Sequence, residues 1–151
     1  MKNFLVLLVL SLSFTSCKKD KSDSVPQPQV TYEELLAGKV HNYWDISKIT
    51  VDGQEDDVNW ACMKDNVWVF NRNAEFLELC IGLKCESLEL PSYRGAWNFS
   101  SDKKVLNVTE DNWSYSYKLI KLTDSELIVS YYDDDKHLIE FTLNKIESQS
   151  N

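Results

Sequence analysis

Several things are scarce in this chain of 151 residues, and each scarcity excludes something. It has only two histidines, His41 and His137. A hydrolytic triad needs a histidine set between a nucleophile and a carboxylate, and no Gly-x-Ser-x-Gly elbow is present to hold a serine. There is no Cys-x-x-Cys and no Cys/His cluster, which argues against a zinc site. Basic residues are outnumbered, 16 to 24, for a formal charge of −8. Without a cationic face the chain is a poor partner for nucleic acid or for anionic lipid surfaces. The single long apolar run, Phe4 to Leu12, is too short to cross about 30 Å of hydrocarbon. Glycine and proline are also few, four and three. Aromatics and β-branched residues are plentiful from the middle of the chain onward, which is strand composition.

The apolar run explains the start of the chain. Met1–Lys2–Asn3 is basic, Phe4 to Leu12 is apolar, and Ser13 to Ser16 turns small and polar around Phe14. That order is a secretory signal peptide, residues 1–16. Thr15–Ser16–Cys17 resembles a bacterial lipobox, in which the cysteine is diacylated and the chain is cut on its amino side. Phe14 departs from the usual aliphatic residue of that motif. Two or three acyl chains hold a protein firmly to a membrane, at about 0.8 kcal/mol per buried CH₂. The expectation is a lipoprotein of the cell envelope, anchored to the outer membrane through Cys17. The mixed charges at Lys18, Lys19, Asp20, Lys21 and Asp23 leave the membrane face undetermined.

Loss of residues 1–16 removes one lysine, leaving 15 basic against 24 acidic residues, a formal −9 on 135 residues. That length suits one domain with a full core. Residues 17–30 read as the lipidated cysteine and a flexible, Pro-punctuated linker without apolar periodicity. Residues 31–147 read as the folded domain and 148–151 as a disordered tail. Outside the cytoplasm a disulfide persists. With Cys17 acylated, Cys62, Cys80 and Cys85 allow one internal bond and leave one odd thiol.

Thr31 with Glu34 three residues on is a capping box, and Gly38 stops the short helix that follows. From Tyr43 the chain alternates strands and turns. Strands are expected at Trp44–Val51, Val67–Phe70, Glu75–Ile81, Gly95–Phe99, Lys104–Thr109, Asn112–Leu122, Glu126–Tyr132 and Lys136–Ile146. Eight strands at short spacing favour an up-and-down barrel or a sandwich. Period-two alternation puts Trp97 with Phe99 on one face, and Trp113, Tyr115, Tyr117 and Leu119 on another. Leu127, Val129 and Tyr131 continue it, as do Ile139, Phe141 and Leu143. By the same parity Leu77, Leu79 and Ile81 are expected inside, with Glu78 and Cys80 pointing away from the core.

In order along the chain stand Leu35–Leu36–Ala37–Gly38–Lys39, Trp44-x-Ile46, Ile49–Thr50–Val51–Asp52–Gly53, Cys62–Met63–Lys64–Asp65–Asn66 and Gly82–Leu83–Lys84–Cys85. Gly95–Ala96–Trp97–Asn98–Phe99–Ser100 and Leu122–Thr123–Asp124–Ser125–Glu126–Leu127 follow. Together these pieces resemble the lipocalin-like domain family of Bacteroidota lipoproteins over roughly residues 33 to 146. The resemblance implies an all-β fold: a single antiparallel up-and-down β-barrel of about eight strands with a short N-terminal helix. It also implies that Cys62 pairs with Cys85, leaving Cys80 as the odd thiol. Val40–His41–Asn42–Tyr43 is longer than usual before Trp44, so the first strand is expected to start late or to bulge.

A barrel of this size either fills with side chains or holds one small ligand. Trp97, Phe99, Trp113, Tyr115, Tyr117, Tyr131 and Phe141 are the candidate lining, and equally the candidate core. Trp44 is expected to plug the closed end, near Trp97. Tyr93 and Arg94 are candidate contacts in the loop before Gly95, because binding residues favour loops. His41 and His137 are expected at the surface. Asp133–Asp134–Asp135 and Asp56–Asp57 lack the glycine and spaced ligands of a calcium loop and read as solvated turns. No catalytic residue, metal or cofactor is assigned, and the chain is not expected to be an enzyme. The leading reading is a binding module for a small apolar or amphipathic ligand. The alternative is a filled barrel that docks a protein or glycan through its loops or outer face.

Overall fold

The computed structural model describes residues 29–56, 60–83, 90–111 and 113–147. The expected signal peptide, Cys17, most of the linker, Cys85 and the tail lie outside the described residues. The first element is helix α1 (Tyr32–Ala37). The strands are β1 (His41–Val51), β2 (Gln54–Glu55), β3 (Val67–Asn71), β4 (Glu75–Leu79), β5 (Ser92–Phe99), β6 (Val105–Glu110), β7 (Trp113–Leu122), β8 (Glu126–Tyr132) and β9 (Leu138–Lys145). A 3-10 turn, Ala61–Met63, precedes β3.

All strand pairs are antiparallel. From β3 to β9 each strand pairs with the next, and β1 closes the ring by pairing with β3 on one side and β9 on the other. The result is a closed eight-stranded barrel. The two residues of β2 fold back on the end of β1 through Asp52–Gly53. Both turn residues have positive φ, 49° and 80°, as the tight hairpin turns that match strand twist require.

Closure depends on a bend in β1. Its first half pairs with β3 from His41 to Asp45, and most of its length pairs with β9, with a register shift between Ile46 and Lys48. A bulge of this kind bends a strand and changes the phase of its side chains. Asn42, Trp44 and Ile46 therefore face inward before it, and Ile49 after it. The long lead-in to Trp44 is strand from His41 onward, so β1 starts early rather than late, and the bulge lies beyond Trp44.

Helix α1 plugs one end. Thr31 and Glu34 form the capping box, with Thr31 N–H donating to Glu34 Oε2 at 2.9 Å and Glu34 N–H to Thr31 Oγ1 at 3.2 Å. A six-residue helix is not stable alone, and three hydrogen bonds from two side-chain donors secure this one. Asn42 Nδ2 donates to the Leu35 and Leu36 carbonyls, and Trp44 Nε1 donates to Leu36 O at 2.9 Å. Gly38 leaves the helix at φ 63°, where a Cβ would lie 2.7 Å from Asn42 Oδ1. Trp44, Leu36 and Ala37 are fully buried there. The core continues through Phe70, Phe76, Trp97, Leu106, Val108, Leu127, Val129 and Leu143, so the half of the barrel next to the helix is filled.

Candidate functional site

The opposite end carries the candidate site. It is formed by the end of β1, the start of β3, the ends of β4 and β6, and the starts of β5, β7 and β9. Sequence alternation assigned β4 to the wrong face. Phe76 stands opposite Phe70, and Glu78 opposite Trp68. Phe70, Phe76 and Trp68 are core residues, so Glu78 faces inward with them and is only 8% exposed, while Leu77 and Leu79 lie half-buried on the other face. Cys80, next on the inward parity, is half-buried and carries a thiol rather than a disulfide.

A second carboxylate arrives from β6, where Leu106, Val108 and Glu110 are the buried residues. Glu78 and Glu110 are separated by one strand, β5, whose Tyr93 is in register with Glu78 and whose Gly95 is in register with Glu110. Gly95 lets β5 and β6 approach closely, since a Cβ there would sit 1.5 Å from the Thr109 carbonyl oxygen. Across this gap Glu110 is pushed up to about 8, by burial first and by the neighbouring Glu78 second. Two carboxyls in one low-dielectric site cannot both ionise cheaply, so Glu110 holds its proton at neutral pH.

Glu78 has one neutral donor. Asn66 Nδ2 donates to Glu78 Oε1 at 2.8 Å. Asn66 and Trp68 are each 2% exposed, and among the described residues Asn66 Oδ1, Trp68 Nε1 and Asp65 Oδ1 are buried without a hydrogen-bond partner. Buried polar atoms are nearly always satisfied, and each orphan costs about 1–3 kcal/mol. At the closed end, by contrast, Asn42, Trp44 Nε1 and Trp97 Nε1 all have partners.

Below the carboxyls lies an aromatic floor. Trp68 meets Tyr117 at 5.4 Å and Phe141 at 5.5 Å between ring centroids, and Tyr131 stacks on Phe141 at 6.1 Å. Tyr115 stacks on Tyr117 at 5.7 Å, and Trp60 meets Phe141 edge-on from the segment before β3. Burial raises the Tyr117 hydroxyl well above its ordinary range, and Glu78 adds to this; burial pushes Tyr131 up to about 12.

The wall is incomplete on one side. The β7–β8 ladder runs from Lys118 and Ser130 to Leu122 and Leu127. Above it β7 and β8 part, and a cleft of about 610 Å³ opens between Trp113, Ser114, Tyr115, Tyr131 and Tyr132. Tyr115 and Tyr131 belong both to this cleft and to the aromatic floor.

The seven rings proposed as lining thus divide. Tyr115, Tyr117, Tyr131 and Phe141 come together in the half away from α1. Trp97 and Phe99 lie at the closed end, where Trp97 Nε1 donates to Asn71 O and Phe99 packs on Tyr32. Trp113 continues the alternation of β7 but lies beyond the buried layer, 69% exposed at the rim. Tyr93 and Arg94 lie within strand β5 rather than in a loop. Arg94 faces out opposite Leu77, whereas Tyr93, half-buried opposite Glu78, accepts a hydrogen bond from Leu90 N–H.

Other polar candidates have structural partners. His137 Nδ1 lies 2.7 Å from Asp52 Oδ2, tying the β8–β9 turn to the β1–β2 turn, and the Asp52 carboxylate raises the His137 imidazole. His41 is exposed beside Tyr43. Asp133 Oδ1 accepts from His137 N–H within its own turn. Among the described residues no group of three or more His, Cys, Asp or Glu is arranged to hold a metal ion. Nor, among them, is any helix long and apolar enough to cross a membrane. Cys62, in the 3-10 turn, is disulfide-bonded.

Residues 40–129, more than half of the chain, match the family described as lipocalin-like domain. The chain belongs to the lipocalin-like domain family. A crystal structure of a lipocalin-like protein from Bacteroides uniformis superimposes with a TM-score of 0.52 at 14% sequence identity, covering 74% of this chain and 99% of that chain. Identity that low speaks for the fold alone. No curated protein matches.

Glu78, Glu110, Asn66 and Trp68 went unnoticed in the sequence. The signal for Glu110 was present, since it follows Leu106 and Val108 at period two. Glu78 had no such signal, because Leu77 and Leu79 outweigh Phe76 in any count of apolar faces.

Proposed function

We propose that this lipocalin-like domain is an envelope-anchored binding module that takes one small amphipathic ligand at the barrel mouth opposite α1. The observation that carries this reading is the contrast between the two ends. The half beside α1 is filled and its buried polar groups are satisfied. The other half combines a cluster of mutually tilted aromatic rings with buried polar atoms that lack partners among the described residues, the pattern of a site that a ligand completes. The ligand sits above Trp68, Tyr117 and Phe141, not deep in the barrel, and Trp97 and Phe99 support the fold. The anchor in this proposal is a diacylated Cys17, followed by the linker, and the location is the outer membrane. The Cys62–Cys85 pairing belongs to the same proposal; Cys80 keeping its thiol and Cys62 being bonded support it.

The test is native mass spectrometry of the mature protein from its own host, beside the same sample denatured. Additional mass in the native spectrum alone supports the module. Bare protein favours a second reading, in which the exposed Trp113 and Tyr132, each 69% exposed beside the cleft, dock a protein or glycan partner.

A further inference from the structure

We propose that the mouth recognises a small amphipathic amine, whose ammonium group is received by Glu78, Glu110 and the side-chain oxygen of Asn66. This rests on the binding-module reading and names the ligand class within it. The argument begins with the groups that surround the site. Glu78 comes from β4, Glu110 from β6, Tyr93 from β5, Tyr115 and Tyr117 from β7, and Tyr131 from β8; Asp111 follows Glu110 in the next turn. Every charge that acts on Glu110 is acidic. The positive charge beside these carboxyls is the proton that Glu110 holds at neutral pH. A ligand ammonium supplies that charge with two or three donors instead.

Asn66 makes the choice more specific. Its amide nitrogen is already committed to Glu78, at 2.8 Å, and its Oδ1 is a buried acceptor without a donor. A third acceptor beside two carboxyls repels an anion and suits a donor-only group. The faces of Trp68, Tyr117 and Phe141 also attract cations and bury a flat apolar body. A further orphan, Trp68 Nε1, is a donor, so the ligand also carries an oxygen acceptor. A hard metal ion fits poorly, since calcium takes six to eight oxygens and the neighbours of these groups are largely aromatic rings.

The test uses three probes with one body: tyramine, the alcohol tyrosol, and hydroxyphenylpropionate. Each is titrated calorimetrically into the mature protein carrying Cys17→Ser. Tyramine is expected to bind about ten- to a hundred-fold more tightly than tyrosol, as one or two charge-assisted hydrogen bonds provide, and the acid is expected not to bind. Tyramine binding is also expected to release protons, seen as a buffer-dependent heat at neutral pH, as the cation displaces the Glu110 proton. Glu78→Gln and Glu110→Gln are each expected to remove most of the preference for tyramine, while circular dichroism and a cooperative urea transition show that the variants are folded. If tyrosol or the acid binds as tightly as tyramine, the amine assignment is wrong while the module reading survives. If no probe binds, the amine assignment is again overturned, and the native mass comparison decides the module separately.

Discussion

Replacing Glu110 by glutamine should change how the domain's stability depends on pH. Glu110 is 9% exposed and its carboxyl is pushed up from 4.5 to about 8. Between those values the folded protein holds a proton that the unfolded chain has released. Stability therefore falls as pH rises through that window and is greatest below it. At about 1.36 kcal/mol for each pKa unit, the rise from 4.5 to about 8 sets a ceiling of about 5 kcal/mol. The carboxyl lies near the mouth and beside Glu78, so about half of that ceiling, ~2–3 kcal/mol, is the expected loss. Glutamine keeps the shape and the donor and cannot ionise. Urea titrations of the mature Cys17→Ser protein and its Glu110→Gln variant, run in parallel at steps from pH 5 to pH 8, isolate the effect. Taking the difference between the two proteins removes most of the general repulsion of an acidic chain. The variant should gain ~2–3 kcal/mol on its parent between pH 5 and pH 8. Parallel curves would refute a protonated, buried Glu110.

The other predictions concern the anchor, the cysteines and the helix plug. Cys17→Ser should move the protein from the membrane fraction to the soluble fraction, and retention in the membrane would remove the lipoprotein proposal. Alkylation of the unfolded, unreduced domain should label Cys80 alone, read by intact mass; a label on Cys62 or Cys85 would break the proposed pairing. Asn42→Ala strips the Leu35 and Leu36 carbonyls of a buried donor and should cost ~2–3 kcal/mol by urea titration. A loss much smaller than that would mean that α1 is held mainly by Trp44.

Most of the barrel was legible because its strands obey period two against one core. Thr31 and Glu34 announced the helix, and Asp52–Gly53 announced its hairpin. The errors fall where the period is ambiguous or runs past the core. In Glu75–Leu79 two leucines compete with Phe76 and Glu78 for the inside, and only the register with Trp68 and Phe70 decides. In β7 the alternation holds up to Trp113, but burial ends near Tyr117 because the strand outruns the packed layer. Tyr93 and Arg94 looked like loop because β5 was expected to begin at Gly95; it begins at Ser92. Each error follows from tertiary register, which composition does not encode. The candidate site was half visible for the same reason: its rings follow the apolar pattern and its carboxyls break it.

Those breaks bear on function because they are energetically expensive. A domain of this size has only about 5–15 kcal/mol of net stability. Three orphaned polar side chains, Asp65, Asn66 and Trp68, and a carboxyl that must keep its proton consume a sizeable share of that. Apolar residues at 78 and 110 would fill the mouth as Phe76 and Val108 fill the layers beside them, at no such cost. Polar groups in other barrels of this design can be kept for register, but register here is set by the apolar rows of β3, β4 and β6 without help from either glutamate. Glu78 does hold Asn66, the residue that leads into β3, at 2.8 Å, but Glu110 has no such task among the described residues. The role we propose for the pair beyond that contact is to meet a ligand at this end. That is why the chemistry of the ligand, rather than the stability of the fold, is the quantity these two side chains determine.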